Sequence, residues 1–335
     1  MLNQVSTSFC FVPTCSFHLP ISLSSFCCHI PGKVFFSVII PSMLANQDEI
    51  LIVGICRDVG EEIANDIRRL KESFSDFKKV YFYIIESDSK DNTVAILTDL
   101  SKEFSNFDFV SLGKVQPQIP DRWSRIAYLR NLCIAEFLKS EKYVHCNFVV
   151  VSDLDGVNRE LTPSSVKAVF ERSDWAACFA NQSGHYYDIF ALRHPTWSPD
   201  DCWKHEKVLR SRGVNPIRAR ELAVYKRQIK IRPNSNWIEV DSAFGGLGIY
   251  KREFLTNALY ESRDSNDELV CEHVSFNKGV SRNGGRLFVV PAFINFKLNG
   301  HNHPMLKRKR AKRFVKLALW YLFPPSRKLF ASQYL

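Results

Sequence analysis

Nowhere in these 335 residues do apolar side chains run together for the ~18–20 positions that a membrane-spanning helix requires, so no span is expected. The ten cysteines include no CxxC pair and no zinc-ligand spacing, which argues against a zinc module. Cys56, Cys133, Cys146 and Cys178 fall in apolar segments, where a free thiol behaves as a small hydrophobe, and a reducing compartment is the expected setting. The start lacks the basic stretch and compact apolar core of a signal peptide. No internal repeat is visible. Acid is missing from one place in particular: residues 301–335 hold nine Lys or Arg and no Asp or Glu. The net charge of +10 therefore belongs to the tail, because the remaining residues carry 36 basic against 35 acidic groups. A near-neutral body argues against nucleic acid as a partner.

What is present reads as one domain with two appendages. Residues 1–45 are rich in Ser, Phe, Cys and Pro without helical or strand period. They are expected to be a disordered extension, or residues ahead of a true start at Met43. From residue 46 to 303 a single α/β domain is expected, followed by a basic amphipathic tail at 304–335. Ile50–Cys56 reads as a buried strand, and Ile63, Ile67, Leu70, Phe74 and Phe77 recur at helical spacing. Val80–Ile85 reads as a second strand, Val94 to Phe104 as a second helix and Phe107–Leu112 as a third strand. A third helix over Asp121–Ser140 leads into a strand that ends at Asp153. Strands alternating with amphipathic helices predict a mostly parallel sheet with helices on both faces. Beyond Thr162 the pattern is mixed: a strand at Trp175–Asn181, an irregular basic and aromatic region at 197–236, a Gly-rich turn within Trp237–Tyr250 and a strand pair in Arg286–Phe296.

The residues that carry chemistry begin with Val149-Val150-Val151-Ser152-Asp153-Leu154-Asp155. Ligands of open α/β sheets sit at the carboxyl ends of strands, and residues i and i+2 of extended chain face the same way. Asp153 and Asp155 therefore offer two anionic oxygen donors suited to Mn²⁺ or Mg²⁺, which can in turn hold a diphosphate. Turn chemistry is the plainer reading of the same triplet. Arg130 is a misfit at the centre of the apolar stripe formed by Trp123, Ile126, Ala127, Cys133, Ile134, Phe137 and Leu138. A buried guanidinium needs an anion, either an internal carboxylate or a ligand's phosphate. Glu86 and Asp91 stand where a ribose or base would be read, although Asp91 also suits an N-cap. Gly245 and Gly246 permit close backbone approach, or simply form a hairpin turn. Glu272 beside His273 is a candidate acid–base pair, with capping as the alternative. His301 and His303, one apart after a glycine, can ligate metal or merely occupy a loop. Asn181-Gln182-Ser183 matches a glycosylation acceptor, which matters only in a secreted protein.

In their order along the chain these features resemble the GT-A glycosyltransferases, whose hallmarks are a DxD motif, a glycine loop, an xED element and a C-terminal metal-binding His. Three strings, Glu86-Ser87-Asp88-Ser89-Lys90-Asp91-Asn92-Thr93, Arg130-Asn131 and Tyr186-Tyr187-Asp188-Ile189-Phe190-Ala191-Leu192-Arg193, are similar to the capsule-associated α-1,3-mannosyltransferases and their bacterial relatives. The resemblance covers roughly residues 50–303. It implies a GT-A, Rossmann-like sheet with a mixed C-terminal acceptor half, and transfer of a sugar from a nucleotide-sugar donor, GDP-mannose in that family, to a glycan or lipid-linked acceptor. It places Asp153, Asp155, His301 and His303 at a divalent cation. The donor side would comprise Arg57, Glu86, Asp91, Arg130, Asp153, Gly245 and Gly246, and the catalytic candidates are Glu272, His273 and Asp188. One departure stands out: the residue after Glu272 is His273, where the xED element has Asp.

Two other readings stay open on the sequence. A nucleotidyltransferase could use the same aspartates, although Arg57 is thin support for a triphosphate site. A sugar- or membrane-binding module could keep the fold without turnover. The tail sets Lys312, Arg313 and Lys316 against Phe314, Leu317 and Tyr321, as suits either an anionic membrane surface or packing on the body. The expectation is a cytoplasmic protein peripheral to the inner face of a membrane.

Overall fold

Successive side chains of a strand face opposite ways, and the first strand of this protein has both faces filled. In β1 (Glu49–Cys56) Leu51 and Val53 enter one core while Ile50 and Ile52 enter another. The sheet is thus buried on both sides, and its strands are correspondingly continuous in apolar residues. The computed structural model describes residues 48–297, all within one compact unit. The expected extension at 1–45, the first two residues of the expected domain (46–47), His301, His303 and the tail at 304–335 lie outside the described residues.

Eight strands form one mixed sheet: β1, β2 (Lys79–Glu86), β3 (Phe107–Ser111), β4 (Cys146–Asp153), β5 (Ala177–Gln182), β6 (Ile238–Glu239), β7 (Leu247–Lys251) and β8 (Leu287–Phe296). Their spatial order is β3-β2-β1-β4-β7-β5-β8-β6. The first four run parallel, β7 lies antiparallel between β4 and β5, β5 pairs parallel with β8, and β6 closes the edge antiparallel. Helices α1 (Glu62–Ser73), α2 (Thr93–Glu103) and α4 (Pro163–Lys167) supply Ile63, Ile67, Leu97, Leu100 and Val166 to the core containing Ile50. Helices α3 (Arg122–Lys139) and α7 (Glu272–Arg282) supply Cys133, Phe137, Phe276 and Val280 to the opposite core. The expected sheet with helices on both faces is what forms.

Three local expectations change. The Gly-rich segment is not a hairpin: β6 and β7 do not pair, and β7 instead enters the middle of the sheet. Arg286–Phe296 is one strand rather than two. Its partner register jumps from Phe179↔Val289 to Asn181↔Ile294, an irregularity spanning Pro291, which has no N–H to give a ladder. The region 197–236 contains α5 (Cys202–Ser211) and α6 (Pro216–Ala223), capped by the side chains of Asp201 and Asn215. Asn followed by Pro at the first helical position is a start signal legible in sequence.

The six described cysteines are free and buried, Cys56, Cys133, Cys146 and Cys178 as their apolar settings suggest. Among the described residues no helix is long and apolar enough to cross a membrane. Asn181 is fully buried, donating to the carbonyls of Ile231 and Pro291, so the folded chain does not offer it for glycosylation.

Candidate active site

The DxD segment takes its shape from Leu154. That side chain is buried at the end of β4, against a bare glycine on β1: a Cβ on Gly54 would meet Leu154 Cδ1 at 2.5 Å. With the middle residue anchored inward, Asp153 and Asp155 both line a cleft of about 480 Å³ at the carboxyl end of β4. Asp155 is open to the cleft, yet the surrounding protein and then the Asp153 charge raise its carboxyl above the usual range. A carboxylate disfavoured by burial and by a neighbouring carboxylate suits a cation.

Beneath them lies Arg130, 6% exposed on α3. Its Nη2 donates to Asp153 Oδ1 at 2.8 Å, and its Nε lies 3.4 Å from Glu272 Oε1. The guanidinium sits 5.1 Å from the Phe244 ring centroid. Burial alone would make Arg130 easier to deprotonate, but Asp153 and Glu272 outweigh it and hold the charge. Its Nε and Nη1 make no hydrogen bond within the described residues. The misfit on the helix is thus paired internally, leaving two buried donors over.

Glu272 opens α7 and is 5% exposed, so the carboxylate lies at a helix N-terminus as well as beside Arg130. His273 is buried, stacked on Phe244 at 3.6 Å between centroids, with neither ring nitrogen hydrogen-bonded. Burial, then Arg130, drives its pKa well below the ordinary value, and the imidazole is neutral. Asp188 also lines the cleft. Its carboxylate accepts from Gly245 N at 3.0 Å and Ala191 N at 3.3 Å, while burial pushes its pKa up to about 6.

Gly245 and Gly246 do not line the cleft themselves; they tie its walls together. Both have positive φ, +69° and +85°. A Cβ on Gly245 would meet Ala180 O at 2.6 Å, and one on Gly246 would meet Val157 at 2.8 Å. Only glycine fits this turn. Gly246 O accepts from Asp153 N at 2.9 Å, which joins the turn to the DxD strand.

Arg57 lines this cleft and a neighbouring cavity of about 670 Å³. Glu86 borders that second cavity but is 2% exposed, with its oxygens taken by Ser89 N and Ser111 Oγ. Asp91 lines neither space: it stands one residue ahead of Asn92, the N-cap of α2, and accepts from Thr93 N and Oγ1. Among the described residues no cluster of three His, Cys, Asp or Glu is arranged for a metal.

Two further acids stand at the site. Asp88, at φ +63°, borders the second cavity with a buried Oδ2 that makes no hydrogen bond and lies 3.7 Å from Arg125 Nε. Asp66 is 2% exposed on α1 and accepts from Gly156 N at 2.8 Å, one residue past Asp155. Its signal was present: Asp66 falls between Ile63 and Leu70 on an apolar stripe, the same kind of misfit as Arg130.

No family model and no curated protein matches the chain. Among solved structures it is similar to the mannosyltransferase PcManGT from Pyrobaculum calidifontis in complex with GDP-Man and Mn²⁺, at 12% identity and TM-score 0.44, over 88% of this chain and 71% of that one. It is similar to S. aureus TarS 1-349 in complex with UDP-GlcNAc, at 13% identity and TM-score 0.45, over 77% of this chain but only 61% of that one. A third is glucosyl-3-phosphoglycerate synthase from Mycobacterium tuberculosis in complex with UDP, at 14% identity and TM-score 0.33, over 80% and 75%. At these identities and scores the likenesses assign no activity.

Asp66 sets a pH dependence of stability. Burial, opposed by the Gly156 N–H and reinforced by Asp155, raises its pKa from 3.8 to about 6. An acid whose folded pKa is raised costs stability above that value, and the cost vanishes as pH falls below the unfolded one. Asp66→Asn keeps an oxygen for Gly156 N. It is expected to stabilise the protein by about 1–3 kcal/mol at pH 7.5 and by far less near pH 4. Urea denaturation at the two pH values checks this.

Proposed function

We propose that this protein is a GT-A type glycosyltransferase that moves a sugar from a nucleoside-diphosphate donor to an acceptor hydroxyl. The observation that carries the reading is Asp153 and Asp155 at a strand's carboxyl end, facing a cleft of about 480 Å³ that adjoins a second cavity through Arg57. Strand ends are where such sheets bind nucleotides, and paired carboxylates suit the cation that accompanies a diphosphate. Capsule-type mannosyltransferase resemblance points to GDP-mannose as the donor to try first.

Asp155, with Asp153 beside it, would hold Mn²⁺ or Mg²⁺, the donor's own oxygens completing the ligand set; His301 and His303 are further candidates. A bound cation supplies Lewis-acid stabilisation of charge on the departing diphosphate. Arg57 offers a cation between the two spaces for phosphate. Arg130 would orient Asp153 and Glu272 through its contacts at 2.8 and 3.4 Å. Because Glu272 is engaged by Arg130 and His273 is a neutral stacked ring, Asp188 is our choice to take the acceptor's proton, with Glu272 holding Arg130 in place. A carboxylate near pKa 6 suits general-base work around neutral pH.

Asp155→Asn is expected to cut Mn²⁺-dependent affinity for GDP or UDP by about tenfold or more, with the fold intact. Calorimetry with Mn²⁺ and with EDTA checks it, and unchanged affinity would refute the cation assignment. The specificity constant for transfer should rise with pH through about 6 as Asp188 ionises. Asp188→Asn should abolish that limb and lower transfer by roughly 10²–10⁴-fold while donor binding persists. Binding without any transfer would favour the non-catalytic module instead.

The acceptor is proposed to be a glycan or a lipid-linked sugar met at an anionic membrane surface, which the basic residues beyond 303 would engage at ~1 kcal/mol per cation close to that surface. A chain ending at Met305 should keep nucleotide binding yet lose co-sedimentation with phosphatidylserine vesicles at low salt. Equal co-sedimentation of both chains would remove the tail from the account.

A further inference from the structure

Behind the cleft run three amide side chains, Asn158, Gln182 and Asn295, all fully buried. They come from the loop after β4, the end of β5 and the end of β8. Tyr187 N donates to Gln182 Oε1 at 3.3 Å. Gln182 Nε2 donates to Asn295 Oδ1 at 3.3 Å and to Gly245 O at 3.2 Å. Asn295 Nδ2 donates to Asn158 Oδ1 at 3.1 Å and to Gly245 O at 2.9 Å. Asn158 Nδ2 donates to Asp153 O and Ser152 Oγ, each at 2.9 Å. The donors all point one way, from the Tyr187–Asp188 segment toward Asp153.

We infer that Asn158, Gln182 and Asn295 form a positioning relay that sets the Asp153–Asp155 turn, the Gly245 turn and Asp188 relative to one another. The inference rests on the donor site proposed above. Apart from Ser152 Oγ, the ends of the relay are backbone groups of cleft-forming segments. Holding Asp153 O fixes the peptide plane leading to Leu154 and hence the aim of Asp155. Holding Gly245 O fixes the peptide turn whose N–H binds Asp188. One amide, Asn295, therefore ties the cation side of the cleft to the proton-accepting side. Core packing alone would be met by apolar side chains at lower desolvation cost. A fully satisfied buried network instead specifies one geometry, because each carbonyl left without its donor would be costly.

Asn295→Asp tests this, since both groups that Nδ2 serves are acceptors and a carboxylate cannot donate to them. Gln182→Met is the second variant, removing two donors without adding charge. The full chain is compared with each variant by circular dichroism, then by Mn²⁺-dependent binding of GDP and UDP well below the unfolding temperature. The expected result is a native spectrum with nucleotide affinity reduced about 10–100-fold in the presence of Mn²⁺, the scale of outer-shell changes at metal sites, and little change in EDTA. Native variants that bind as the parent does would overturn the relay while sparing the donor site. If both variants unfold while the parent binds, the amides are folding elements and the inference fails. A parent protein that binds neither nucleotide with Mn²⁺ takes the donor reading and the relay down together.

Discussion

Arg130 is the charge around which the site is organised. It sits on α3, within reach of Asp153 at the end of β4 and Glu272 at the start of α7, so three distant segments meet at one guanidinium. Burying such a group is unfavourable by itself, and only close anions make it tolerable. Removing one member of a buried pair typically costs ~3–5 kcal/mol, because the partner is left uncompensated. The triad therefore constrains which helix register and strand ends can coexist. It also decides which carboxylates are already committed, leaving Asp155 and Asp188 as the acids of the cleft not paired with Arg130.

Backbone geometry does the complementary work. Leu154 anchors the turn by packing over Gly54, where no Cβ stands in its way. Asp66 catches the Gly156 N–H from the helical side, and Asp153 N reaches Gly246 O across the sheet. Crowding from Ala180 and Val157 holds these two positions of the turn to glycine. Strain and close approach at Gly245 and Gly246 thus serve the carboxylates indirectly, through hydrogen bonds to Asp188 and Asp153.

Much of the first half of the fold was legible in the residues. The alternation of apolar strands with helical stripes such as Ile63–Ile67–Leu70 places β1, α1, β2, α2, β3, α3 and β4 in order, because burial on one face imposes a period. Asp121 marks the start of α3, accepting from Ser124 N at 2.8 Å. The second half was harder for a physical reason. Its strand β7 is inserted between β4 and β5, and β8 is interrupted near Pro291, so neither its pairing nor its register follows from local pattern. The caps of α5 and α6, Asp201 and Asn215, lie within a basic and aromatic stretch that shows no clear helical period.

Within the site, the sequence by itself determined that Asp153 and Asp155 would end a buried strand and that Arg130 would need an anion. Both follow from local rules, since extended chain alternates its side chains and a charge inside an apolar stripe must be compensated. Tertiary structure decided the rest. It chose Asp153 and Glu272 as the partners of Arg130, spent Glu86 and Asp91 on nearby serine and threonine groups, and neutralised His273 against Phe244. It brought Asn158 and Asn295, 137 positions apart, into one hydrogen bond. Such pairings depend on which segments the mixed sheet makes neighbours, and no local pattern of side chains encodes that.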